Sequence, residues 1–369
     1  RSGEQVVGSQ QVGSNLEAVY QNRVKRAKAS SEKKVVFDKI VKNGFLFLTL
    51  ICSSVVIIVT IFILIKGLLP FRKTYSENGH TGKASLSYFL TGLRFNNGFS
   101  DESQKFLYGT CFLVFNTIFL NILVALIAIP MSVLTALFIA RIAPKWLATI
   151  RQNIIDLLAA IPSVIYGIFG LGVIVPLIKR AVNGFSWGVA ITGISMLAGA
   201  LVLSLRILPT ILSISVNARK TVDKNQINGS LALGASPTQT NFKVVLRNAK
   251  SGIFAGIILG IGRSLGEATA VSMLCGSPRY GLTINPLNPT ITLSSQMLLS
   301  FGEAVPGSMN YDIRFSAGVI LRIIIIVSNC ILNDVKNHVS SINKSPLLIQ
   351  RLFIFLRNKL RSCENESRD

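Results

Sequence analysis

One apolar stretch of the chain holds an arginine and a glutamate four residues apart. The run GIGRSLGEATAV, residues 260–271, carries no charged side chains other than Arg263 and Glu267. An arginine at the centre of a membrane-spanning helix costs about 2.5–3.5 kcal/mol on insertion scales, so it is rare without a role. Its planar fork of N–H donors fits a tetrahedral oxyanion such as phosphate. This pair could therefore bind an anion at membrane depth.

The spacing of the pair predicts how the two charges interact. Residues four apart in an α-helix lie on one face, so we expect Glu267 to neutralise Arg263 while no anion is bound. Glycines at 252, 256 and 260 recur at the spacing that lets two membrane helices approach closely. This helix should therefore line an interface. The pair is either part of an anion path or a salt bridge that only locks two helices.

Other polar side chains also fall within apolar segments. Arg206, three residues before Pro209, either extends its charge to the nearer membrane surface or contributes to the same path. Lys66 and Arg322 are expected to extend their charges to a membrane surface. Tyr166, which follows the proline of IPSVIYG, has a hydroxyl that an anion could use, although helix packing is the favoured interpretation.

The composition is that of an integral membrane protein. Half of the 369 residues are hydrophobic, only 15% are charged, and the mean hydropathy is +0.53. The formal charge of +22 comes from basic residues between and beside apolar segments, which argues against a nucleic-acid partner. The two histidines, His80 and His338, are far apart. We therefore expect no metal site.

Six segments are long and apolar enough to span a membrane, which takes roughly 20 residues each. They are residues 45–69, 110–140, 154–178, 187–217, 251–276 and 315–333. The predicted fold is all-α, a polytopic membrane protein with about six transmembrane helices. Residues 1–43 form a polar and basic N-terminal tail, 44–335 the transmembrane domain, and 336–369 a basic, partly amphipathic C-terminal tail.

The distribution of lysine and arginine predicts the orientation. If the N-terminus is cytoplasmic, the cytoplasmic segments carry 25 of these residues and the opposite side carries 9. Cytoplasmic loops of membrane proteins carry such an excess. We therefore expect a multi-pass protein of the cell membrane with both termini in the cytoplasm.

The cytoplasmic loop 218–250 has the pattern of a short amphipathic helix, a glycine break and a second helix. Its stretch NGSLALGASPTQTNFKVVLRNAKSG begins at residue 228 and breaks at Gly234. Apolar residues such as Leu231, Leu233 and Phe242 would fill a groove on a soluble partner. By pattern alone, folding of the loop onto its own membrane domain is an equal alternative.

This loop resembles the EAA loop of permease subunits of binding-protein-dependent ABC importers. In that family the loop forms the coupling helix that fits the ATPase subunit. Residues 228–230 read Asn-Gly-Ser where the family has Glu-Ala-Ala, and residues 246–247 read Leu-Arg where it has Leu-Pro. The matching residues, which include the characteristic glycine of the family, are Leu231, Ala232, Leu233, Gly234 and Ala235.

Further stretches are similar to the phosphate-specific branch of that family. GIILGIGRSLGEATAV resembles its Gly-Arg-Ala-Ile-Gly-Glu-Thr signature, and IPSVIYG resembles its Pro-Ser-Val-Val-Tyr-Gly run. SQMLLSFGEAVPGS resembles its Glu-Ala-x-x-Gly stretch, and the whole resemblance covers residues 110–333. It implies that Arg263 and Glu267 lie on the phosphate path. Thr269 follows the position of the signature threonine, and Arg206 is a further candidate for the path.

The resemblance implies a type I ABC importer permease, a transport subunit rather than an enzyme. Because the sequence contains no P-loop motif, we expect separate ABC ATPase subunits to bind and hydrolyse ATP, with no cofactor on this chain. The other implied partners are a second permease subunit, either a paralogue or an identical copy, an extracellular phosphate-binding protein and membrane lipids. The alternatives are a permease for sulfate, molybdate or phosphonate, and a membrane scaffold that transports nothing.

Overall fold

A computed structural model describes most of the chain. The described residues are 3–77, 80–99, 106–141, 153–155, 157–184, 192–278, 281–299, 301–302 and 304–341. They fall into two compact units, one that ends at Phe62 and one that begins at Ile63. The first helix contributes to both units, and all contacts discussed below belong to the second.

Helices dominate the structure, as predicted. The helices are α1 Gly3–Arg72, α2 Leu86–Thr91, α3 Cys111–Arg141, α4 Ser163–Phe169, α5 Val175–Gly184, α6 Met196–Lys220, α7 Lys224–Ala232, α8 Pro237–Gln239, α9 Leu246–Leu265, α10 Thr269–Leu274, α11 Leu293–Leu298 and α12 Met309–Ser341. Two π-helical segments, Gly170–Ile174 and Thr240–Val245, join α4 to α5 and α8 to α9.

Six helices of the described residues are long and apolar enough to cross a membrane, which confirms the predicted number. They are Asp38–Arg72, Cys111–Phe138, Ser163–Asn183, Met196–Lys220, Pro237–Leu265 and Met309–His338. The predicted fifth span, 251–276, is wrong at both ends. Its helix begins in the preceding loop because Ser236 caps it, and it ends at Leu265 because Gly266 leaves the helix.

The predicted tails are described only in part. Helix α1 includes residues 3–43, the segment that the sequence predicts to be a polar tail. Helix α12 continues to Ser341, whereas the amphipathic stretch predicted at 347–360 lies outside the described residues.

Glycines let α9 pack closely against α6. A Cβ atom on Gly252 would lie 2.3 Å from the Cβ of Ala218, and one on Gly260 would lie 2.7 Å from Cγ1 of Ile211. Real Cβ atoms do not approach other atoms so closely, so only glycine fits at these positions. The prediction that this glycine repeat lines a helix interface is confirmed. Apolar side chains of α3 complete the core, among them Leu120, Val124 and Ala128.

Two small hairpins lie between the first and second spans. Strand β1, Tyr75–Glu77, pairs antiparallel with β2, His80–Gly82, and β3, Phe95–Phe99, pairs antiparallel with β4, Phe106–Tyr108. Aromatic side chains of this region, including Phe89 and Phe95, form a buried cluster with the start of α12.

Buried charges tie this region to α12. Tyr75 donates from its hydroxyl to Asp312 over 2.6 Å, and the ammonium of Lys66 lies 3.9 Å from the same carboxylate. Lys66 therefore has an anionic partner, whereas the sequence predicts that its charge reaches a membrane surface. Arg314, 1% exposed, donates to the carbonyl of Gln296 over 2.9 Å and so fixes α11 against α12.

The glycine packing predicts a selective effect of one methyl group. We expect Gly252→Ala to lower the apparent melting temperature of the purified protein, because the added carbon overlaps Ala218 and overpacking costs about 1–3 kcal/mol. Thermal unfolding followed by circular dichroism in detergent measures the effect.

Gly262→Ala on the same helix is the matched control. A Cβ atom there meets its nearest neighbour, Asn329, at 3.6 Å, an ordinary contact, so this variant should be at least as stable as the parent. Equal melting temperatures for the two variants would contradict the packing described for α6 and α9.

Candidate functional site

The helix that carries Arg263 stops before it reaches Glu267. Helix α9 ends at Leu265 with Gly266 as its C-cap, and α10 begins at Thr269. In the break between them, the amide of Glu267 donates to the carbonyl of Ser264 over 3.1 Å. The prediction that Arg263 and Glu267 share one face of a continuous helix is therefore wrong, because glycine ends the helix between them.

Glu267 is held from three directions. Its carboxylate forms an ion pair with Arg206 of α6 and accepts a hydrogen bond from the amide of Ala270 over 3.3 Å. Its backbone carbonyl accepts from the hydroxyl of Ser294 on α11 over 2.8 Å. The expectation that Glu267 neutralises Arg263 is wrong, since the break turns the carboxylate towards α6. Glu267 is 6% exposed, so this pair is a buried one.

Arg206 belongs to this site and not to a membrane surface. It lies 14 residues before Lys220, the last residue of α6, which corresponds to about 21 Å along the helix. An arginine side chain is too short for that distance, so the alternative in which its charge reaches the membrane surface at the Lys220 end of α6 is wrong. Only 13% of its side chain is exposed, and Nε has no hydrogen-bond partner among the described residues.

Arg263 remains without a counter-charge in the described part of the chain. It lies in the last turn of α9, its side chain is exposed, and Nη1 donates to the hydroxyl of Thr210 on α6 over 3.3 Å. The only described ion pairs are Lys66–Asp312 and Arg206–Glu267. Two guanidinium groups and one carboxylate therefore leave one unit of positive charge at the site, which favours an anion.

Polar groups other than the predicted site residues lie near these charges. The phenol of Tyr166 lies within electrostatic range of both Arg206 and Arg263, and its hydroxyl donates to the carbonyl of Leu158 over 2.9 Å. Asn329 of α12 lies beside Gly262, the residue before Arg263. Asn329 is a polar side chain inside the apolar run IIIIVSNCIL, and this pattern could have identified it as a candidate site residue.

Two buried polar atoms near Arg263 have no hydrogen-bond partner among the described residues. They are the hydroxyl of Ser264 and Oδ1 of Asn329. Buried polar groups without partners cost free energy, so each calls for water, a ligand or another chain. Thr269, the remaining predicted site residue, is partly buried at the start of α10, and its carbonyl accepts from Ser272 over 2.9 Å.

The predicted short helix, glycine break and second helix of the loop are confirmed, and the second helix runs on through Pro237–Leu265. Asp223 caps α7 by accepting from the amide of Asn225 over 2.9 Å, and Gly234 breaks the chain with a φ of +84°. No residue of α7 is buried, and Leu233 is 91% exposed. The first arm of the loop, α7, therefore presents an uncovered surface. In the second arm, residues 237–245, Thr240 and Val245 are buried.

Sequence comparisons agree with this architecture. The family described as "Binding-protein-dependent transport system inner membrane component" matches residues 128–336. The chain is 38% identical over 276 residues to the "Probable ABC transporter permease protein YqgH" of Bacillus subtilis, covering 75% of this chain and 82% of that protein.

Other relatives carry names that refer to phosphate transport. The "Probable phosphate transport system permease protein PstC" of Methanocaldococcus jannaschii is 27% identical over 309 residues, 81% of this chain and 95% of that protein. The "Phosphate transport system permease protein PstC" of Pasteurella multocida is 30% identical over 233 residues, 60% of this chain and 72% of that protein.

A solved structure shares the fold. It is the crystal structure of a bacterial ABC transporter involved in the import of the acidic polysaccharide alginate. One of its chains superposes with a TM-score of 0.53 at 15% identity, over 82% of this chain and 98% of that chain. The predicted fold, a polytopic helical permease of the importer type, is confirmed.

The buried pair predicts that neutralising Glu267 costs more stability than neutralising Arg263. Glu267→Gln should destabilise the purified protein by about 3 kcal/mol or more, because it leaves Arg206 as an unpaired buried charge. Arg206→Gln combined with Glu267→Gln should cost less than Glu267→Gln alone. Arg263→Gln should change stability little, since Arg263 is exposed and unpaired with a described carboxylate. Thermal unfolding of the four proteins measures these differences; an Arg263→Gln effect as large as that of Glu267→Gln would contradict the pairing.

Proposed function

Because the chain belongs to the family of inner-membrane components of binding-protein-dependent transport systems, we propose that it is the transmembrane permease subunit of an ATP-driven phosphate importer. The similarity to permeases named for phosphate transport supports the choice of substrate. In this role the chain provides a path for the anion and does no chemistry on it.

The positive charge of Arg263 is the observation that carries this proposal. Glu267 is committed to Arg206, so Arg263 keeps its donors for another acceptor. Charge-assisted hydrogen bonds from a guanidinium to phosphate are strong and directional. A transported anion must also leave, and the exposed, weakly held Arg263 suits brief binding better than a closed cage of donors would.

The proton of phosphate offers a reason to prefer it over sulfate. At neutral pH phosphate still carries a proton and can donate a hydrogen bond, whereas sulfate is an acceptor only. Oε1 of Glu267 accepts one hydrogen bond, from Ala270, and keeps a second lone pair. A site that combines this carboxylate, paired with Arg206, and the available guanidinium of Arg263 therefore favours an anion that can donate as well as accept.

The exposure of Arg263 supports a second permease subunit. On α9, Arg263 follows Leu259 by one turn, and Leu259 is 59% exposed, so these two residues mark an uncovered face of the helix. A guanidinium that faces lipid is costly. A partner permease, paralogous or identical, would cover this face and enclose a water-filled path between the two subunits.

The exposed helix α7 supports docking of an ATPase subunit. Its apolar end, Leu231 and Leu233, is exposed, and the second arm of its loop runs on as a helix through Pro237–Leu265. A displacement of the loop would therefore be transmitted to Arg263 through this one helix. In this proposal the ATPase partners bind ATP, and both termini share the cytoplasmic side with the loop, as the excess of basic residues there favours.

The opposite end of the molecule supports delivery by an extracellular phosphate-binding protein. A cleft of about 660 Å³ opens there between the start of β1 and the start of α12, lined by residues that include Lys73, Tyr75, Ser308 and Asn310. Such a protein would release phosphate on this side, and closure of the ATPases would alternate access to the path.

Uptake of radiolabelled phosphate into vesicles that contain the complete transporter tests the proposal. We expect Arg263→Ala to reduce uptake at least ten-fold, because a hydrogen bond to a charged group contributes roughly 1.5–3 kcal/mol. The complex should still co-purify with its ATPase and permease partners. Arg322→Ala, at an exposed arginine of α12, is the control and should transport normally. Unchanged uptake by the Arg263 variant, or loss of assembly, would instead indicate a purely structural residue.

Competition between anions tests the substrate. A hundred-fold excess of unlabelled sulfate or molybdate should leave phosphate uptake nearly unchanged, because a site with a hydrogen-bond acceptor rejects analogues that cannot donate by a factor of about 10⁴ or more. Unlabelled phosphate should abolish the signal, and phosphonate should be tested alongside. Equal competition by sulfate would show a general oxyanion permease, and no uptake of any anion would favour the scaffold.

A further inference from the structure

A second arginine of α6 is buried where the sequence predicts a loop. Arg219 lies in the last turn of α6 and is 4% exposed, although it falls within the segment 218–250 that the sequence assigns to a cytoplasmic loop. Nη1 donates to the carbonyl of Ala136 on α3, and Nη2 lies 3.5 Å from Oδ1 of Asn241 in the second arm of the loop. One side chain thus joins α6, α3 and the loop.

Asn241 is in turn linked to the exposed helix α7. The hydroxyls of Ser230 on α7 and Thr240 are 3.0 Å apart, and Thr240, adjacent to Asn241, is completely buried. Two polar contacts, joined through the peptide bond between Thr240 and Asn241, therefore connect α7 to Arg219. Both Thr240 and Asn241 belong to the π-helical segment Thr240–Val245, and such segments are frequent at functional sites.

The second arm is not packed tightly against α3. An open cleft of about 260 Å³ lies between them, and its walls are mainly apolar: Leu134, Leu137 and Phe138 from α3, and Pro237, Thr238, Asn241 and Phe242 from the arm. Close-packed elements resist relative movement, whereas an open cleft beside the arm leaves room for it. Arg219 lies next to this cleft and contacts both α3 and the arm.

We propose that Arg219 is a positioning residue for transport, which transmits displacement of the loop to α3 and α6 and thereby to Arg206. This inference rests on the proposed function, because it takes the loop to be the part that the ATPase moves. Arg206 and Arg219 are 13 residues apart on α6, about 20 Å along the helix. Helix α9 transmits movement of the loop to Arg263 directly. Arg219 makes α6, which carries Arg206, move together with the loop.

Transport and ATP hydrolysis, measured in the same reconstituted complex, test this inference. Arg219→Gln and Asn241→Ala should reduce phosphate uptake per ATP hydrolysed roughly ten-fold, a typical size for coupling between sites. Asn241→Ala leaves the Ala136 contact of Arg219 in place, so it should fold even if Arg219→Gln does not. Lys220→Gln is the matched control, since it removes the same charge from the next residue, which is exposed.

A conformational measurement separates this inference from the choice of substrate. Leu205→Cys, in a chain with its five native cysteines replaced by alanine, puts a reporter on an exposed position of α6. ATP should change its rate of reaction with a maleimide in the parent and in Lys220→Gln, but not in Arg219→Gln or Asn241→Ala. This result supports the inference even if the parent imports no phosphate, an outcome that would overturn only the proposed function.

Two results would overturn the role of Arg219. One is normal uptake per ATP, with an ATP-dependent labelling change, in both variants. The other is a loss confined to Arg219→Gln and accompanied by a lower melting temperature and loss of the partner subunits, with Asn241→Ala behaving like the parent. That second pattern would show that Arg219 only stabilises the fold.

Discussion

The ion pair between Arg206 and Glu267 determines the character of the site. A buried carboxylate at membrane depth needs a cationic partner, and Glu267 takes Arg206 from α6. This choice depends on the break between α9 and α10, which turns the carboxylate away from the helix that carries Arg263. The result is a site with one satisfied pair and one available guanidinium. Had Glu267 paired with Arg263, Arg206 would have been left as the buried, unpaired charge.

The surrounding structure holds this arrangement in place. Glycines bring α9 against α6, so that Arg263 reaches Thr210 and Arg206 reaches the break. Ser294 of α11 fixes the backbone of Glu267, and α11 is itself fixed to α12 by Arg314. The site is thus positioned by four helices and not by a flexible loop. Rigid positioning matters here because a guanidinium binds an oxyanion well only when its fork faces it.

Helix α6 connects the two ends of the proposed mechanism. Arg206, near its middle, takes part in the anion site, and Arg219, at its end, contacts α3 and the loop. Both arginines are mostly buried, and both make contacts between helices. Pro209 lies between them within the helix, where it removes one backbone hydrogen bond and permits a bend. A helix with a charged contact on either side of a proline is well suited to bend at that proline between two conformations.

Properties of single segments were determined by the sequence alone. Hydropathy predicted six spans, the glycine repeat predicted a close helix interface, and the glycine of the loop predicted a break between two helices, because each of these is encoded within one stretch of residues. Tertiary structure decided which charges pair. Arg206 and Glu267 are 61 residues apart, and Arg219 and Ala136 are 83 apart, so their contacts depend on how the helices pack and where α9 ends. Sequence spacing favoured Arg263 as the partner of Glu267. A glycine between them ends the helix, however, and the carboxylate pairs with Arg206 of α6 instead.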